Sequence, residues 1–118
     1  MKTLLTVAVM LFVFTAKDPL LGRWESRPSP KGNITGVVFK EGNIMDAYIN
    51  RKPFASGTYH FNPADSIFSF TDNGCNGVMG IYKMHLFSNG DTATFELIKD
   101  DCKERAHGMV SLVIGRVK

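Results

Sequence analysis

The chain has 118 residues, 14 basic against 11 acidic, for a net charge of +3. That length sets one domain. So small and scattered a positive charge excludes a charge-driven nucleic-acid or acidic-lipid partner. Two cysteines with no Cys-x-x-Cys spacing exclude a thiol redox motif and a closed zinc site.

Residues 1–16 have the pattern of a secretory signal. Lys2 gives the positive start, residues 4–14 are apolar apart from Thr6, and Thr15-Ala16 offers small residues for cleavage. Phe14 is bulky for the position it would hold before that cut, which leaves an uncleaved anchor as the rival reading. The run is short of the roughly 20 apolar residues a stable span needs. No cysteine follows it, which argues against lipid attachment there. Residues 17–118 then form the mature domain, expected to be secreted or periplasmic. A domain of this size buries about two-thirds of its unfolded surface, enough for one core with little surplus.

Period-two alternation marks eight strands. Residues 20–27 are the first, with Trp24 and Ser26 on one face and Arg23, Glu25 and Arg27 on the other. The Pro-rich stretch 28–33 is a loop. Strands follow at 34–40 and 44–50, joined by the tight turn Glu41-Gly42-Asn43. Arg51-Lys52-Pro53 connects to a strand at 54–61, in which Gly57 permits a bend or a close backbone approach. After the turn 62–65 comes a strand at 66–71. Strand six covers 78–87, with Gly80, Tyr82, Met84 and Leu86 on one face. Strand seven covers 92–99, with Ala93, Phe95 and Leu97 on one face. A loop at 100–108, with a helical turn through Lys103-Glu104-Arg105-Ala106, leads to strand eight at 109–117.

Short strands with regular turns and no long amphipathic helix mean an all-β barrel or sandwich. The second, fourth and sixth connections are short, whereas the first, fifth and seventh are longer. An up-and-down antiparallel meander puts alternate connections at opposite ends, so one end is closed and the other carries the variable loops. Cys75, in Asp72-Asn73-Gly74-Cys75-Asn76-Gly77, and Cys102 both fall at the loop-rich end. In an exported chain they read as a disulfide.

Gly22-Arg23-Trp24 at the start of strand one, with Arg116 near the end of strand eight, resembles the lipocalin and calycin pattern. That resemblance implies an eight-stranded lipocalin-like barrel in which Trp24 packs over the closed base against Arg116. Gly74-Cys75-Asn76, the following Gly80-x-Tyr82 and the downstream Cys102 are locally similar to META-type domains of bacterial envelope proteins. Both resemblances imply a small β domain outside the cytoplasm, with a bacterial envelope as its setting.

No residue pattern points to catalysis. His60, His85 and His107 have no metal-ligand spacing, and no activated-nucleophile context such as Gly-x-Ser-x-Gly is present. The acidic residues Asp72, Asp100 and Asp101 on the two linked loops read as solvated turn residues, with calcium at the mouth as the sharper alternative. Asn33-Ile34-Thr35 is a glycosylation sequon in a host that glycosylates. No metal or other cofactor is implied. The aromatic residues either fill the barrel or leave a pocket that opens between the first, third, fifth and seventh connections. In the second case Tyr82, Met84, Ser56 and Phe95 are the candidates to contact a small hydrophobic ligand. The expected function is accordingly an exported binding protein, not an enzyme. The alternative is an envelope structural or protein-interaction module with a filled core and an envelope protein as its partner.

Overall fold

Alternating apolar and polar side chains, broken by turn residues, close into a barrel in the computed structural model, which describes residues 18–118. The expected signal at 1–16 lies outside the described residues. The strands are β1 (Gly22–Ser26), β2 (Thr35–Lys40), β3 (Ile44–Ile49), β4 (Lys52–Asn62), β5 (Ile67–Asp72), β6 (Gly80–Phe87), β7 (Thr92–Asp100) and β8 (Val113–Arg116). Each pairs antiparallel with the next, and β1 pairs with β8 through Trp24–Arg116, Glu25–Gly115 and Ser26–Ile114. That last pairing makes the molecule an up-and-down barrel and rules out the sandwich.

Two segments depart from the expectation. The third connection is not 51–53 but a tight turn at Asn50 and Arg51, both left-handed (φ 53° and 67°). Lys52 and Pro53 belong to β4, where the register shift between Ala47 and Tyr48 accommodates the proline. The larger difference is in the last connection. The helical turn extends into an α-helix, α1 (Lys103–Val110), and β8 starts only at Val113. Ala106 and Met109, three apart, supply the inward helix face: Ala106 is buried and Met109 packs on the core. Met109 and Val110 therefore continue a helix although they read as strand by composition.

The base of the barrel is solid. Leu20, Trp24, Tyr82, Met84 and Ile114 are fully buried. The Trp24 indole donates to the Leu20 carbonyl at 2.9 Å. The Arg116 guanidinium lies 4.4 Å from the Trp24 ring and donates to the carbonyls of Leu21 and Pro19 at 2.9 and 2.8 Å. Residues 18–21 are thus strapped across the closed end. The Tyr59 hydroxyl adds a bond to the Asp18 carboxylate. Phe39, Tyr59, Phe68, Phe70, Tyr82 and Phe95 form a contiguous aromatic cluster, with neighbouring ring centroids between 4.6 and 6.4 Å. Such pairs contribute about 0.5–1.5 kcal/mol each beyond area burial.

The outer face carries cross-strand ion pairs alongside exposed apolar side chains such as Ile44, Phe87 and Val113. Lys40 and Asp46 pair across β2 and β3 at 2.5 Å, and His85 and Glu96 across β6 and β7 at 3.0 Å. Among the described residues no helix is long and apolar enough to cross a membrane.

Gly57 faces inward, where a Cβ would come within 1.8 Å of the Thr71 carbonyl oxygen. The close approach of β4 and β5 depends on it. Gly108, in α1, would place a Cβ in open space. Gly57→Ala should cost about 3 kcal/mol through overpacking against backbone. Gly108→Ala should instead stabilise by about 0.5–1 kcal/mol. Chemical denaturation of the two variants checks the contrast, and similar midpoints would contradict the close approach.

Candidate functional site

The end opposite Trp24 carries the connections 27–34, 50–51, 73–79 and 101–112. Side-chain size changes along the barrel axis. Near the base the interior holds Trp24, Tyr59 and Phe68, whereas near the mouth β3 and β4 turn Ala47 and Ala55 inward as a facing pair. Small inward residues there leave a cavity of about 460 Å³. Its deeper wall is Phe39, Met45, Phe68, Phe95 and Ile114, and its rim includes Thr35, Ile49, Phe54, Asp72, Glu104, Arg105, Met109 and Leu112. Phe54 is two-thirds exposed at that rim.

The helix α1 lies at the mouth and is fixed there twice. Cys102, its N-cap residue, is disulfide-bonded to Cys75 at the end of the short 3-10 turn Asn73–Cys75, with Cα atoms 6.1 Å apart. One helical turn later Arg105 reaches inward and stacks its guanidinium 4.7 Å from the centre of the Phe70 ring. Its Nε and Nη2 donate to the two Asp100 oxygens at 2.9 and 2.8 Å, and Nη2 also donates to the Val78 carbonyl at 2.7 Å. The Tyr82 hydroxyl donates to Asp100 Oδ2 at 2.5 Å, and the Cys102 N–H donates to Oδ1 at 3.0 Å. Asp72 stands 3.4 Å from Arg105 Nη1, while its Oδ1 accepts from the N–H groups of Gly74 and Cys75. One buried cluster therefore ties β5, β6, β7 and the fifth connection to α1.

The electrostatics follow from that geometry. Burial alone would raise the Asp100 carboxyl, but Arg105, Tyr82 and the Cys102 N–H outweigh it and hold it below the usual carboxylate range. Tyr82 is pushed well up, first by burial and then by its bond to Asp100. Both partners stay in their hydrogen-bonding forms across the physiological range, so neither is poised for acid–base work at neutral pH.

The sequence-derived candidates separate clearly. Cys75 and Cys102 are joined, and Trp24 and Arg116 stack at the base. Phe95 lines the cavity. Tyr82 and Met84 do not line it: both are fully buried, and the Tyr82 hydroxyl is committed to Asp100. Ser56 lies outside the barrel, because Ala55 and Gly57 face inward and strand alternation turns it outward. It borders an outer groove of about 610 Å³ with Arg23, Asp46, Tyr48 and Phe54.

Asp72 and Asp100, expected as solvated turn residues, instead converge on Arg105. Arg105 itself is the residue that sequence reading missed. The one available signal was its place one helical turn after Cys102, which carries it toward whatever Cys75 faces. Among the described residues no group of three or more His, Cys, Asp or Glu side chains could hold a metal ion. The chain matches no protein-family model, no curated protein and no solved structure.

The disulfide closes a 27-residue separation and should contribute about 3–4 kcal/mol. Cys75→Ser should therefore lower the melting temperature by many degrees, and an unchanged melt would count against the bridge. Asp100→Asn would leave Arg105 buried and short of its charge partner, at a cost of about 3 kcal/mol at neutral pH. The depressed folded-state value means that the Asp100 contribution is complete above its unfolded value, about 3.9. It is lost as pH falls through the lower folded value. Unfolding midpoints followed down the acid limb should fall less steeply in Asp100→Asn than in the parent protein.

Proposed function

We propose that the chain is an exported, lipocalin-like binding protein that holds a small hydrophobic molecule in the mouth of its barrel. The observation that carries this reading is the apolar cavity of about 460 Å³ beneath α1. Pockets of a few hundred Å³ with mostly apolar walls and a few polar groups are the usual setting for small-molecule binding. The two fastenings of α1 favour the same reading. A rim held by a disulfide and a buried ion pair loses little conformational freedom when a ligand enters. The protein acts by binding and not by catalysis. The polar groups nearest the cavity support that, being engaged with one another and not poised to transfer a proton. A disulfide as a structural element fits an oxidising compartment, so the address proposed is secreted or periplasmic.

A second reading rests on a separate feature. Phe54, 67% exposed, stands between the mouth and the outer groove bordered by Arg23, Asp46 and Tyr48. An exposed aromatic beside a concave surface suits a protein partner, as in an envelope structural or protein-interaction module.

Native mass spectrometry of the protein purified gently from its own host separates the two readings. A co-purified small molecule of defined mass is the expected result. A bare mass over repeated preparations, with a protein partner retained instead, would favour the Phe54 surface.

A further inference from the structure

The register of β1 to β4 builds the outer groove of about 610 Å³ beside Phe54. One row across the four strands is Arg23–Val38–Asp46–Ser56, all of which line it. The next inscribed row toward the mouth is Glu25–Gly36–Tyr48–Pro53. At Gly36 a Cβ would come within 2.2 Å of the Tyr48 ring, so the missing side chain lets that ring lie across β2. Its hydroxyl donates to Glu25 on β1 at 2.6 Å. The register shift between Ala47 and Tyr48 leaves Phe54 with no opposite residue on β3. A bulge re-aims the side chain it carries, and Phe54 is left two-thirds exposed. The result is a trough across four strands with Tyr48 and Phe54 as its aromatic part. At the spacing between strands it is about 14 Å long, the reach of an extended segment of about four residues.

The charged residues that line the groove are Arg23, Asp46 and Arg51. Asp46 is already paired with Lys40 at 2.5 Å, and Glu25 accepts from Tyr48. β1 to β4 carry no other carboxylate. Arg23 and Arg51 are exposed, and among the described residues neither has an ion-pair partner. Both act on the Tyr48 hydroxyl: burial and then Glu25 push it up to about 12, and the two guanidiniums oppose that rise. Lys52, exposed next to Arg51, adds charge of the same sign. The uncommitted charge is thus positive and stands beside aromatic surface. Tyrosine, phenylalanine and arginine are the residue types enriched where proteins bind proteins. Guanidinium groups take carboxylates in paired hydrogen bonds. We infer, building on the protein-partner reading above, that the groove docks an extended acidic segment of a partner protein. An apolar side chain of that segment lies against Phe54 and Tyr48, and its carboxylates pair with Arg23 and Arg51.

The test selects random phage-displayed peptides on the full mature protein and measures the selected peptides by fluorescence anisotropy. They should carry acidic residues around an aromatic or aliphatic one, and glutamine in place of those acidic residues should abolish binding. Arg23→Gln and Arg51→Asn should each weaken them about tenfold, as expected for one lost charge-assisted contact. Asparagine suits the left-handed backbone at 51. Phe54→Ser should weaken them at least as much. All three positions are exposed, so the melting temperature should stay at the parent value, which separates lost docking from lost fold. Selected peptides that are neutral or basic, or that bind both arginine variants as tightly as the parent, would overturn the acidic rule. The partner surface would still stand if Phe54→Ser weakened those peptides. If no selected peptide depends on Phe54, that surface falls, and this inference with it. A single-stranded oligonucleotide that displaces the peptides at equal concentration would also overturn the inference, by making the groove a general anion site.

Discussion

The shortness of β8 governs the upper half of this barrel. Four residues reach only as far as Thr94 on β7, where Val113 is the last registered partner. Above that level β7 continues to Asp100 without a strand on its β8 side. A sheet edge left open would expose unpaired backbone groups and invite misassociation. The helix α1 takes the place of the missing strand. It packs along β7, and its attachment cannot rely on sheet hydrogen bonds. The disulfide and the Arg105 cluster supply that attachment. The register irregularity opposite Tyr82 and the half-exposed Leu97 and Ile98 belong to the same place, where the cylinder stops being a pure sheet.

The two ends of the molecule divide the work accordingly. At the base, Trp24, Leu20 and Ile114 fill the interior, and Arg116 clamps the segment before β1 to the turn after β6 through Asp91. That end resembles a conventional core, and truncating it would open a void. At the mouth, Ala47 and Ala55 withhold volume, so the same eight strands enclose space. A small domain has little surplus stability to spend on a void. The cross-links at the mouth offset that deficit, since both act on the two connections that the cavity would otherwise loosen.

Much of this organisation was legible in the sequence, because alternation with period two is a local signal. Trp24, Phe39, Met45, Phe68 and Phe95 fall on inward faces as the pattern dictates, and the paired cysteines follow from the meander. Gly57 announced a close approach for the same reason: only a missing side chain lets two backbones come so near. Where reading failed, the deciding term was long-range. Met109 and Val110 look like strand by composition, but Ala106 and Met109 face the core together at helical spacing. Ser56 is the exception, since alternation with the inward Ala55 and Tyr59 along β4 already turns it outward. Asp72 and Asp100 look like ordinary turn carboxylates until a third chain segment brings Arg105 between them. No window of sequence contains that coincidence.

The Arg105–Asp100 pair also sets how α1 sits over the mouth. A buried ion pair is a poor way to gain stability, because removing two charges from water costs several kcal/mol per ion before their attraction repays it. An apolar pair of similar volume would hold α1 at least as firmly. What the apolar pair would lack is direction. Asp100 fixes the guanidinium plane through two hydrogen bonds, Phe70 supports one face, and Val78 takes a further N–H. The remaining nitrogen, Nη1, is buried 3.4 Å from Asp72 Oδ1, so the guanidinium is held on every side. Direction of that kind gives α1 a single seat against β5 and β7, which an apolar contact would define less sharply.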